Sequence, residues 1–133
     1  MKNSPHVRRP RSLIVHLVTF RWKSDVTHAD VDSLCDQLRT LAPQVSGLLA
    51  FQFGTNARLR PGTGDFGIVA VMETAEDLHA YMEHPEHKRV VQEWTNRMSA
   101  DRIPVQFELP PGVSMGPLLQ MEGSAQRTGG TGG

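Results

Sequence analysis

Hydrophobic and polar positions along this chain follow two periods, and the switches between them mark out its elements. From Leu13 to Trp22 the alternation is that of a strand, with Ile14, His16, Val18, Phe20 and Trp22 on one face and Leu13, Val15, Leu17, Thr19 and Arg21 on the other. Both faces are largely apolar, so both call for cover. Thr27, with Asp30 three residues later, reads as a capping box that opens a helix whose inward stripe is Val31, Leu34, Cys35, Leu38 and Leu41. Pro43 stops it, and His28 falls in its solvated first turn. After a Ser46-Gly47 turn, Leu48 to Phe53 forms a second strand that Gly54 closes. Residues Asn56 to Asp65 hold Pro61, Gly62 and Gly64 beside Arg58 and Arg60, the composition of a mobile connection between strands. Phe66 to Glu73 is the third strand, and Pro104 opens a short fourth one through Leu109.

Between the last two strands lies the stretch richest in chemistry. Thr74 and Asp77 open a helix with Leu78, Tyr81 and Met82 inward, and Pro85 forces a break at His84 while suiting the first turn of a new helix. In that second helix Val90, Val91, Trp94 and Met98 make a buried stripe, and one turn back from it stands His87. Lys88, Arg89, Gln92, Glu93 and Asn96 fall mostly on the wet side. An inward His87 is open to two readings, a core histidine bonded to a backbone carbonyl or a desolvated, neutral base beside a ligand space. His16 is the second histidine in an apolar setting, with a similar structural alternative.

Strand, helix, strand, strand, broken helix, strand is the split βαβ order of an α+β, ferredoxin-like subunit, an antiparallel four-stranded sheet with helices on one face. The helices leave the opposite apolar face of the sheet uncovered, and two such faces packed about a two-fold axis predict a homodimer. Residues 1–12 carry Lys2, Arg8, Arg9 and Arg11 without periodicity and read as a basic flexible arm; residues 13–109 are the folded domain. The Gly- and Pro-rich residues 110–133 read as a flexible tail, although Leu118, Leu119 and Met121 are candidates for resting on the body.

Composition narrows the partners. With 133 residues the chain has the length of one domain, and 14 Lys and Arg against 14 Asp and Glu give no net field to attract nucleic acid or an anionic membrane. A single cysteine, Cys35, precludes an intrachain disulfide and fits a reducing cytoplasm. Arg8-Arg9 before an apolar run imitates a twin-arginine signal, but His16 interrupts the run and a small-residue cleavage site is missing. No stretch approaches the roughly 20 apolar residues of a membrane span.

Several of these segments carry a resemblance. Val15 to Lys23, Phe53-Gly54, Asp65 to Val71, Val105 to Leu109 and above all the run Tyr81-Met82-Glu83-His84-Pro85-Glu86-His87 resemble the stress-responsive dimeric α/β barrel (Dabb) family. The resemblance implies a subunit that dimerises through its sheet. It also implies, from polyketide cyclases of the olivetolic acid cyclase type, an intramolecular aldol reaction without metal or cofactor, with His87 as base and Tyr81 and His16 as pocket residues. This chain departs from the pattern at Gly67, where those cyclases carry another pocket histidine. Phe20, His84 and Trp94 are the candidate substrate-binding residues beside this catalytic set.

On this reading the protein is a cofactor-free enzyme acting on a polyketide-like or other apolar β-dicarbonyl molecule, as a cyclase, lyase or isomerase using one base. Such carbon acids are acidic enough for a neutral histidine, with Tyr81 and His16 bonding the enolate or its carbonyl. The alternative is a non-catalytic, stress-responsive dimeric module that binds an apolar small molecule. A metal or haem site on His79, His84 and His87 is the weakest reading, because Pro85 separates His79 from His87.

Overall fold

The computed structural model describes residues 12–112. Most of the expected arm and the tail beyond Gly112 lie outside the described residues. Four strands, β1 (Leu13–Trp22), β2 (Leu48–Thr55), β3 (Phe66–Met72) and β4 (Ser99–Leu109), form one sheet in the order β2-β3-β1-β4. Each neighbouring pair is antiparallel, with His16 opposite Ala70 on one side and Gln106 on the other. This is the ferredoxin-like α+β arrangement that the element order predicts.

The helices are α1 (His28–Leu41), α2 (Ala75–Glu83), α3 (Pro85–Val90) and α4 (Asn96–Met98), with a π-helical turn over Val91–Thr95 joining the last two. At the start of α1 both halves of the capping box form, Asp30 N–H donating to Thr27 Oγ1 and Thr27 N–H to Asp30 Oδ2. At α2 only one half does: Thr74 Oγ1 accepts from Asp77 N–H. The Asp77 carboxylate packs against Gly47, where a side chain would meet it at 3.0 Å and where φ is +95°. Glycine is thus required there on two counts.

Alternate residues of β1, β2 and β3 turn toward the helices. Val18, Phe20, Phe51, Phe66, Ile68 and Met72 meet Leu34, Leu38, Leu41, Tyr81, Val90 and Met98 in one core. Burying a side chain the size of Leu34 or Met98 stabilises the fold by about 1.5–3 kcal/mol each. On the opposite face Val15, Ala50 and Val71 are buried with Leu13, Val69 and Leu109 around them. Beside them on β4, Ile103, Val105 and Phe107 stay 45–68% exposed.

Two elements differ from the sequence expectation, and a third gains definition. β4 begins at Ser99 rather than Pro104, because a strand at the sheet edge tolerates a proline that a central strand would reject. The helical stripe slips: Thr95 is 3% exposed and Trp94 only partly buried, since the π turn adds a residue and carries the inward position from 94 to 95. The connection between β2 and β3 is bonded at its base, as in a hairpin loop. There Asn56 N–H donates to the Asp65 carbonyl and Asp65 N–H to that of Phe20. The Asp65 carboxylate accepts from Trp22 N–H at 2.8 Å and pairs with Arg58 at 2.6 Å. The first of these bonds, then the second, hold its carboxyl below the usual range.

Candidate active site

A cavity of about 560 Å³ opens between the helix face of the sheet and the α2–α3 break. That is ample for a small organic molecule. Its walls are largely apolar, with Val18 and Phe20 from β1, Ile68 from β3, Leu38 and Leu41 from α1, and Val90 from α3. Into this setting the chain places three polar rings, His16, Tyr81 and His87.

Local folding puts each of them there. His16 shares the helix-facing side of β1 with Val18 and Phe20, and its ring meets Tyr81 edge-on with 6.0 Å between centroids. Tyr81 is the last buried residue of α2 before Pro85 ends that helix. His84 caps the next one, its Nδ1 accepting from Glu86 N–H at 3.1 Å. The chain therefore turns within six residues, and His87 in the first turns of α3 comes back against Tyr81 with ring centroids 4.4 Å apart.

The rings differ electrostatically. Burial pushes His87 from 6.5 down to about 4; the Met82 backbone opposes the shift, while His16, Arg102 and His84 add to it. Its Nδ1 is buried without a hydrogen-bond partner among the described residues. Burial also lowers His16. Its Nδ1 lies 2.8 Å from Gln106 Nε2, so with the amide donating, the ring proton sits on Nε2. Tyr81 is pushed well up by burial and keeps its hydroxyl proton at any physiological pH. The site accordingly holds two imidazoles that burial makes less basic and a phenol donor side by side in apolar surroundings.

Of the residues singled out in the sequence, His16, Tyr81, His87 and Phe20 line this one cavity. Neither His84 nor Trp94 is part of its lining. His84 is taken up by its capping bond, and Trp94 is displaced by the π turn to where the Arg97 guanidinium covers its ring, 5.2 Å from the centroid. Gly67 pairs with Thr19 and Gly54, on the face with Val69 and Val71 that turns away from the helices. A side chain at position 67 would point out of the cavity rather than into it. Among the described residues no group of three His, Cys, Asp or Glu side chains is placed to hold a metal ion. His79 is exposed on the outer side of α2.

The sequence did not single out Arg102, Pro104, Gln92 or Thr95 as lining residues, or Gln106 as the partner of His16. Polar residues of β4 alternate with apolar ones, but only the register against β1 reveals which pocket residues they meet.

Residues 14–109 match the family described as the stress responsive A/B barrel domain. An uncharacterized protein of Streptomyces coelicolor is 31% identical over 84 residues, which cover 62% of this chain and 87% of that one. Among solved structures, a dimeric ferredoxin-like protein of unknown function from Thermobifida fusca superposes with a TM-score of 0.70 at 32% identity, over 74% of this chain and 92% of its own. A hydroxynitrile lyase from Passiflora edulis shares the fold at 13% identity, with a TM-score of 0.67 over 80% of this chain and all of its own.

Proposed function

Since the chain belongs to the stress responsive A/B barrel domain family, we propose that its cavity is the active site of a cofactor-free, polyketide cyclase-like enzyme. The observation that carries this reading is the pair Tyr81 and His87, with ring centroids 4.4 Å apart in the lining of a largely apolar cavity and His87 kept neutral by burial. His87 takes a proton from the carbon between two carbonyls. The resulting enolate is stabilised by hydrogen bonds donated by Tyr81 and His16, and by the imidazolium itself. The enolate carbon then attacks a second carbonyl carbon of the same chain, a C–C bond forms, and the new alkoxide takes back the proton. A base lowered to about 4 by burial is weak, but an enolate formed beside it favours the imidazolium, so each charge supports the other in the low-dielectric cavity.

The working unit in this reading is a homodimer closed by the sheet face that carries Val105 and Phe107, in a reducing cytoplasm. The exposed apolar row on β4 and the dimeric relative from Thermobifida fusca support it.

The test uses the reverse reaction, since an aldol catalyst must also cleave aldols. A fluorogenic β-hydroxyketone that releases a naphthaldehyde on retro-aldol cleavage is expected to turn over faster with the protein than in buffer. In His87→Gln that acceleration should fall about 100- to 10,000-fold with the fold retained by circular dichroism. A protein that accelerates neither this reaction nor the cyclisation of linear β-polyketides refutes the enzyme reading and leaves the non-catalytic binding module.

A further inference from the structure

The charge around the cavity is one-sided. The chain as a whole is balanced, yet among the described residues the cavity lining contains Lys88 and Arg102 and not one Asp or Glu. The two cations are not equivalent. Lys88 Nζ is paired with Glu83 at 2.7 Å, which cancels its charge at the rim. Arg102 bonds to the neutral Asn96 side-chain oxygen. The adjoining carboxylate, Asp101, lies on the other face of β4 and is taken by Arg21. Arg102, exposed on β4, is therefore left without a carboxylate partner among the described residues. Register puts it opposite Phe20, at the mouth of the apolar wall and on the His16 side of the sheet. Its cation is close enough to His87 to lower that group.

We infer that Arg102 is an anion-binding residue at the mouth of this cavity, and that the natural substrate is an apolar molecule ending in an oxyanion, a carboxylate or a phosphate ester. The inference deepens the enzyme reading and rests on the same cavity. A planar guanidinium offers paired N–H donors to two oxygens of such a head group, which a lysine could not reproduce. Apolar walls take the body, the three polar rings meet its interior carbonyls, and the fixed charge decides which end enters first. Because the charge also faces the place where an enolate forms, it favours the same electron-rich carbons that His87 is placed to deprotonate.

The experiment compares three ligands with the same eight-carbon body, octanoate, octyl phosphate and 1-octanol, by calorimetry on the full chain. Wild type is expected to bind at least one of the anions about 10- to 100-fold more tightly than the alcohol, the range of a charged hydrogen bond. In Arg102→Gln that preference should vanish while the affinity for octanol stays as it was, which shows that the variant is folded and its cavity open. Arg102→Lys should restore only part of it. A larger preference for octanoate assigns the head group as carboxylate, and one for octyl phosphate as phosphate ester. Equal binding of anions and alcohol by wild type, or a preference that survives Arg102→Gln, overturns the inference but leaves the cavity as a site. Failure of all three to bind overturns the inference, while the enzyme reading stands or falls by the retro-aldol assay.

Discussion

His87 ties the stability of the protein to pH in one direction. The unfolded residue takes up a proton near 6.5 and the folded one only near 4, so between those values the unfolded state binds more protons and stability falls as pH falls. Above about 6.5 its contribution is complete; below about 4 the slope ends. His16, lowered by burial as well, works in the same sense. Thermal melts of His87→Gln are expected to show a flatter decline of Tm across this interval than wild type, and an unchanged decline would speak against a neutral, buried His87. Tyr81→Phe is expected to cost less activity than His87→Gln in the retro-aldol assay, because it removes a hydrogen-bond donor and not the base. His87 and Tyr81 stood out in the sequence because a helical period points them inward and the Pro85 break brings their turns together. Arg102 and Gln106 did not, because their meaning depends on which residues of β1 they face, and strand register is a long-range property.

At the level of elements, local signals governed wherever they act within a few residues. The Thr27 capping box formed in full, and Thr27→Ala is expected to lower stability by about 1 kcal/mol in chemical denaturation, with the fold unchanged. Pro85 broke the helix where its missing N–H requires. Periodicity held along the 14 residues of α1 and failed at Trp94, where the π turn at Val91–Thr95 is the reason: a five-residue step leaves no mark in the pattern of apolar residues. The start of β4 was hidden for a related reason. Asp101, Arg102 and Pro104 are poor strand formers, and only pairing with β1 makes a strand of them.

For the whole molecule the decisive feature is a sheet whose outer strand is wet on both sides. Ile103, Val105 and Phe107 are exposed in the single chain. Sedimentation at micromolar concentration is expected to give twice the chain mass, with Phe107→Asp shifting the protein toward monomer; a monomeric wild type would refute the homodimer. Apolar strands on two sheet faces were readable from the sequence, which is why the homodimer is an expectation of the sequence as well as of the fold. That edge is also a hazard. An eleven-residue strand at the margin of a sheet offers a template on which other chains can add without limit. Pro104, which has no N–H to donate, interrupts the template near its middle, with Asp101, Arg102 and Glu108 spaced along the same strand. Replacing it with threonine is expected to leave the melting curve nearly unchanged and to raise light scattering on concentration. The proline that disguised this strand in the sequence would then be what keeps the protein from forming fibrous aggregates.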